Sequence, residues 1–317
     1  MDKIIYCSNC GIKNSIDNTH CDNCNSFLVK DDKIFGKTVS SFDELFNQEN
    51  LSLIHNTEIT SDIYNMIIQN IIDYGQRKLS IPENISCLEK IIYIANLYTR
   101  CIYKNKGSNT GFYVGNVIFI DDRLYDSEQI STVIHELTHH LYSKIFNHLL
   151  MYILNVKSNH YLEAFSWFCL TNNSLAIMSS EFASHTTENR FIPYGYQSYS
   201  SVINELSKNS QVDNKEYEED LHAAMVFGNN ISEDTIKILE TFINDNLREE
   251  IQTQFRLDDK KPKYVEMELE DIGEGTMEYK LSTIKYFLET SFIEASKKEN
   301  RQTLNSIMGA YEYYDSL

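Results

Sequence analysis

The sequence predicts a mainly α-helical protein with a minor strand component, an α+β chain in which a short sheet precedes a run of helices. Three observations lead there. Apolar residues recur every three or four positions through most of the chain, the period of helices with one buried face. Only 3 prolines and 11 glycines interrupt 317 residues, so few segments are forced out of regular structure. The clearest β-branched and aromatic run, Gly115-Asn116-Val117-Ile118-Phe119-Ile120, stands just before a helix carrying His135 and His139.

In chain order, Cys7-Ser8-Asn9-Cys10 and Cys21-Asp22-Asn23-Cys24 come first, two C-x2-C knuckles separated by ten residues. Each knuckle brings two sulfurs to one side of a tight turn, and the excursion between them is long enough for a small hairpin. Four thiolates so paired are the ligand set of a closed, tetrahedral structural zinc site. The alternative is a redox pair or disulfides. Disulfides need an oxidising compartment, and the start Met1-Asp2-Lys3-Ile4-Ile5-Tyr6 has no secretory signal. A module of residues 1–30 is too small to bury a core, so the metal is expected to supply its folding free energy. The segment from Tyr6 to Asn25 resembles the zinc-ribbon modules found at the amino termini of many bacterial proteins. Lys3, Lys13 and Lys30 face Asp2, Asp17, Asp22, Asp31 and Asp32, which leaves no basic face for phosphate. A protein partner is the expected contact of the ribbon.

Residues 31–38 read as a charged linker. Ser41 and Glu44 open a short helix over Ser41–Phe46 in a capping-box-like pattern. Thr60 to Leu79 and Glu83 to Lys104 read as two amphipathic helices divided by Ile81-Pro82, and Lys106 to Gly111 as a loop. The strand over 115–120 ends at Asp121-Asp122. Ser127 is the expected N-cap of the next helix, with Glu128 in its first turn. On that helix Ile130, Ile134, Leu137, Leu141 and Ile145 form one apolar stripe, and His135 and His139 lie on roughly the opposite side.

His135-Glu136-Leu137-Thr138-His139 carries a chemical plan. Two histidines four apart on a helix project from one face, so both imidazoles reach one zinc ion. Glu136 then stands beside the metal's open position as a general base for water. The strand followed by this helix, from about Val114 to Phe146, resembles the zincin metallopeptidases. The chain has Tyr142 and Ile145 where the metzincin pattern has its glycine and third histidine. The resemblance to the glutamate zincins therefore implies an acidic third ligand from a later helix.

Glu181 and Glu163 are the candidates. Glu181, His185 and Glu188 share a helical stripe opposite Leu175, Met178 and Phe182, which backs a metal carboxylate with polar groups. Glu163 lies among Phe165, Trp167 and Phe168 and reads as an exposed carboxylate on a core-facing helix. Glu181 is preferred. His185, one turn on, orients that ligand or donates to an oxyanion, unless it is an ordinary solvated helix residue. The loop Arg190 to Tyr199 is broken by Pro193 and Gly195 and rich in tyrosine, as is the whole chain.

Helices are expected over about Ser200 to Asn209, Lys215 to Phe227, Glu233 to Phe255, Leu281 to Lys297 and Gln302 to Tyr314, with an acidic connector over Lys260 to Gly275. The organisation follows: a ribbon over 1–30, a zincin-like domain over 38–200, and a helical carboxyl-terminal region over 201–317. Twenty-eight basic against 46 acidic residues give a net charge of −18, which disfavours nucleic acid and anionic membranes as partners. No apolar run approaches the roughly 18 residues of a membrane span. Cys87, Cys101 and Cys169 sit in apolar helical contexts and read as reduced, buried thiols of a cytoplasmic protein.

The expectation is a zinc-dependent metalloendopeptidase of narrow specificity with two zinc ions, one catalytic and one structural. His135, His139 and Glu181 hold the first, Cys7, Cys10, Cys21 and Cys24 the second, and Glu136 and His185 act on a peptide or protein substrate. The rival expectation is a regulatory or adaptor protein that keeps the zincin-like fold and recruits partners through its ribbon.

Overall fold

Short polar side chains start most of the helices. Ser41, Asn47, Thr60, Ser86, Asn159, Asn173, Asn244 and Thr276 each stand in extended backbone and accept a hydrogen bond from the backbone N–H three residues on. Each satisfies a donor that the helix itself leaves unpaired. A computed structural model describes residues 4–6, 13–15, 18, 22, 37–79, 81–82, 84–103, 111–193, 214–259 and 275–316.

Strands β1 (Ile4–Tyr6) and β2 (Lys13–Ser15) pair antiparallel and bracket the first knuckle. The Asp22 backbone N–H, within the second knuckle, donates to the Asn14 side chain at 2.8 Å. Cys7, Cys10, Cys21 and Cys24 lie outside the described residues, as do the expected helix over 200–209, the tyrosines of 194–199 and the connector over 260–274.

Helices α1 (Phe42–Leu45), α2 (Gln48–Asn56), α3 (Ser61–Lys78) and α4 (Cys87–Ala95) come next, then strands β3 (Arg100–Tyr103), β4 (Gly111–Val114) and β5 (Val117–Ile120). The sheet order is β3-β5-β4, with β3 parallel and β4 antiparallel to β5. Gly115 (φ 55°) and Asn116 (φ 61°) link β4 to β5. Two consecutive positive φ values are what a two-residue hairpin of the type I′ kind demands, and Gly and Asn tolerate them best.

The central helix α5 (Asp126–Leu154) follows, then α6 (His160–Thr171), α7 (Ser174–Phe191), α8 (Asn214–Glu240), α9 (Asp245–Leu257), α10 (Met277–Ser296) and α11 (Arg301–Asp315). The expected stripe Ile130, Ile134, Leu137, Leu141 and Ile145 is fully buried, and so are Tyr142, Phe146, Leu149 and Leu150 on other sides of α5. This helix is the axis of the molecule. One apolar cluster runs through the chain from Val39 to Leu304. Among the described residues, no helix is long and apolar enough to cross a membrane.

Several expected boundaries are corrected. The helix expected over 83–104 ends at Ala95; Arg100–Tyr103 is β3 instead, because pairing with β5 satisfies its backbone and Leu97 to Thr99 turn the chain. Cys101 is therefore a strand residue. Gly115-Asn116 is a turn, and β4 and α2 were not expected at all. The cap of α5 is Tyr125, whose N–H donates to Glu128 at 3.2 Å, while the Ser127 N–H donates to Asp258 at 2.9 Å. No break occurs near residue 230. Helix α8 runs through Gly228, where an added Cβ would lie 2.8 Å from the Ser179 carbonyl oxygen. Glycine there permits close packing of α8 on α7, and the helix ends only at Glu240.

Candidate metal centre

Small residues let α7 lie close to α5. Ser180, Ala183, Ser184 and Thr187 are all buried, and α8 packs behind them with the Thr187 and Thr235 hydroxyls 2.6 Å apart. That close approach carries the longer side chains Glu181 and Glu188 to the histidine face of α5.

His135 Nε2 and His139 Nε2 lie 3.2 Å apart. The Glu181 carboxylate spans the pair, with Oε2 at 3.5 Å from His135 Nε2 and Oε1 at 3.4 Å from His139 Nε2. Bonds of roughly 2.0–2.1 Å at tetrahedral angles place neighbouring zinc ligands about 3.3–3.4 Å apart. The donor set therefore fits a zinc ion: two imidazole nitrogens and one carboxylate at the right spacing, with a fourth direction left over.

The opposite ring nitrogens are also held. His139 Nδ1 lies 2.8 Å from Ser180 Oγ and 3.2 Å from Ser184 Oγ. His135 Nδ1 lies 3.3 Å from Glu188 Oε2, and His185 Nδ1 lies 3.5 Å from the same oxygen. Ser131 donates to the other Glu188 oxygen. With both Nδ1 atoms acting as donors, the Nε2 lone pairs point to one space, the tautomer that metal ligation needs. His135, His185 and Glu188 also lie close enough together to hold an ion. That set converges on one carboxylate oxygen at 3.3–3.5 Å and shares His135 with the first, so it supports the first set rather than forming a second centre.

Electrostatics follow the geometry. Burial disfavours a charged His135, but hydrogen bonds to Glu181 and Glu188 and the charge of Glu136 override it and raise its pKa well above the usual range. Burial likewise opposes a charged Glu181 and a charged Glu188, yet the histidines hold both carboxyls below the ordinary value. Glu136 is half-buried on α5, next to His135. The site opens to solvent on the Glu181 side, where that side chain is 38% exposed against 7% for His139.

The expected residues sort clearly. His135, His139 and Glu181 come together, with His185 packed edge-on to the His135 ring at 4.6 Å between centroids. Glu163 does not join them. Nor is it an exposed carboxylate: only 13% exposed, it accepts from Lys144 at 3.0 Å and pairs with His160 at 3.3 Å. Sequence reasoning missed Ser180 and Ser184. Their i, i+4 spacing on the helix of Glu181 is the signal that marks them as facing α5. Among protein-family models, curated proteins and solved structures, none matches this chain.

Proposed function

We propose that this protein is a zinc-dependent metalloendopeptidase whose site is His135, His139 and Glu181, with Glu136 as general base. One observation carries the reading: the three donors stand 3.2–3.5 Å from one another, facing one space, on an H-E-x-x-H helix and the helix packed against it. When bound, zinc supplies Lewis-acid polarisation of a peptide carbonyl and lowers the pKa of water.

The chain's own residues do the rest. Glu188 and the Ser180–Ser184 pair fix the tilt and tautomer of the two imidazoles, so the donors are arranged before substrate arrives. Glu136 takes a proton from the attacking water and returns it to the leaving amine, which keeps the expelled group neutral. His185, beside His135 and sharing Glu188 with it, donates a hydrogen bond to the developing oxyanion. Cys7, Cys10, Cys21 and Cys24 hold a second, structural zinc in a ribbon that contacts a protein partner. The β1–β2 pair around the first knuckle and the Asp22–Asn14 hydrogen bond support that reading.

The test is digestion of a proteome-derived peptide library by the zinc-loaded protein and by Glu136→Gln. Cleavage at a defined sequence by the parent alone is expected. Equal cleavage by both proteins would overturn the assignment.

A further inference from the structure

A cavity of about 810 Å³ lies between α3 and the carboxyl-terminal half of α5. None of His135, His139 or Glu181 lines it. Of its α5 lining, Lys144 stands five positions and His148 nine positions beyond His139, about 7.5 and 13.5 Å along the helix axis. Small-molecule sites typically enclose about 300–1,000 Å³ and are mostly apolar with a few directed polar groups.

The lining has that character. Ile63, Met66 and Ile67 from α3 and Met151 from α5 supply apolar surface. The charges that line it balance, two positive (Arg77, Lys144) against two negative (Glu163, Asp315), and Lys144 already donates to Glu163 at 3.0 Å. Asn147 in the same lining is engaged by Ser158 and Ser166. Asn70 and His148 differ. They reach the cavity from its two helices, and among the described residues neither has a hydrogen-bond partner. Burial and the Lys144 charge push the His148 pKa down to about 4, so its ring is neutral near pH 7 and offers one donor and one acceptor.

We propose that this cavity is a binding site, separate from the metal centre, for an uncharged small molecule with an apolar body and hydrogen-bonding groups that meet Asn70 and His148. Asn70 and His148 are only partly buried and face the cavity, so a ligand with polar groups placed to meet them gains over a purely apolar one. A charged ligand would lose its hydration against a lining whose charges already cancel. An uncharged amphipathic molecule meets both conditions.

The experiment compares two fluorescent probes with the same ring system, neutral N-phenyl-1-naphthylamine and anionic 8-anilino-1-naphthalenesulfonate, titrated into the full-length protein. The neutral probe should saturate at one per chain and bind about tenfold or more tighter than the sulfonate. Met151→Trp, which narrows the cavity from α5, and Asn70→Trp, which narrows it from α3, should each weaken the neutral probe about tenfold or more. His148→Phe should weaken it while keeping volume. Bound zinc per chain and the far-ultraviolet spectrum should not change in these variants, which separates this site from the metal centre. Failure of the neutral probe to saturate at one per chain, equal affinity for the sulfonate, or unchanged binding in both tryptophan variants would each overturn the proposal.

Discussion

His135 Nε2 and His139 Nε2 face each other at 3.2 Å, with the Glu181 carboxylate across both. Two lone pairs so placed repel unless a proton or a cation sits between them. In the metal-free protein the charge on His135, paired with Glu181 and Glu188, relieves that conflict. On the proposed reading a zinc ion would relieve it better, because one ion would satisfy all three donors at once.

This competition between proton and metal makes the site pH-dependent. The His135 pKa is raised on folding, so its contribution to metal-free stability is full below about pH 6.5 and lost as pH rises through the folded value. The Glu181 and Glu188 values are depressed, so theirs is present above about pH 4.5 and lost as pH falls through the folded values. The metal-free cluster therefore contributes most between these limits. Zinc must displace the His135 proton, so the zinc-induced rise in Tm should grow from pH 6 to pH 8. Scanning calorimetry across that range on a variant with Cys7, Cys10, Cys21 and Cys24 all changed to Ser checks the sign. A rise that shrinks with pH would contradict it.

Glu136→Gln should bind zinc like the parent and lose about 10²–10⁴-fold in kcat on any substrate found. The relevant pair of measurements is zinc per chain and single-turnover rate. Loss of metal would make Glu136 a ligand rather than a base.

Glu188→Gln leaves the three ligands in place but weakens the hold on His135 Nδ1. Zinc affinity should fall about 10–100-fold, the usual cost of losing a group that orients a ligand. Ser180→Ala should act in the same direction through His139, by less, because Ser184 remains within reach of Nδ1. Competition against a fluorescent chelator reads both.

Gly228→Ala tests the packing that brings α7 to α5. The added methyl meets the Ser179 carbonyl oxygen at 2.8 Å and Phe182 at 3.1 Å, so α8 and α7 must separate. Crowding of this kind costs about 1–3 kcal/mol, read as a lower urea midpoint with unchanged m-value. Zinc affinity should fall with it, since Glu181 and Glu188 ride on α7.

The site was more legible in the sequence than the fold around it. H-E-x-x-H encodes its geometry locally, through the helical period alone, and Glu181 announced itself by sharing a stripe with His185 and Glu188. Glu163 reads as exposed from its aromatic neighbours, but Lys144 reaches it from α5 only through packing, while the His160 pair, three residues back on the same helix, was available from helical spacing. Arg100–Tyr103 was read as helix because four residues carry too little period to tell strand from helix; their pairing with β5 decides. Gly115-Asn116 was readable as a hairpin turn, given flanking apolar runs on both sides. Gly228 was not, since only the approach of α7 distinguishes a packing glycine from a helix break.

The most direct test of the central claim is zinc content and zinc-edge absorption spectroscopy on the variant with all four amino-terminal cysteines changed to Ser. The account predicts one zinc per chain with nitrogen and oxygen neighbours at about 2.0–2.2 Å and no sulfur. That zinc should vanish with a further His135→Ala or Glu181→Ala and persist with Glu163→Ala. A four-cysteine variant that folds but binds no zinc, or one whose zinc survives Glu181→Ala and is lost with Glu163→Ala, would contradict it.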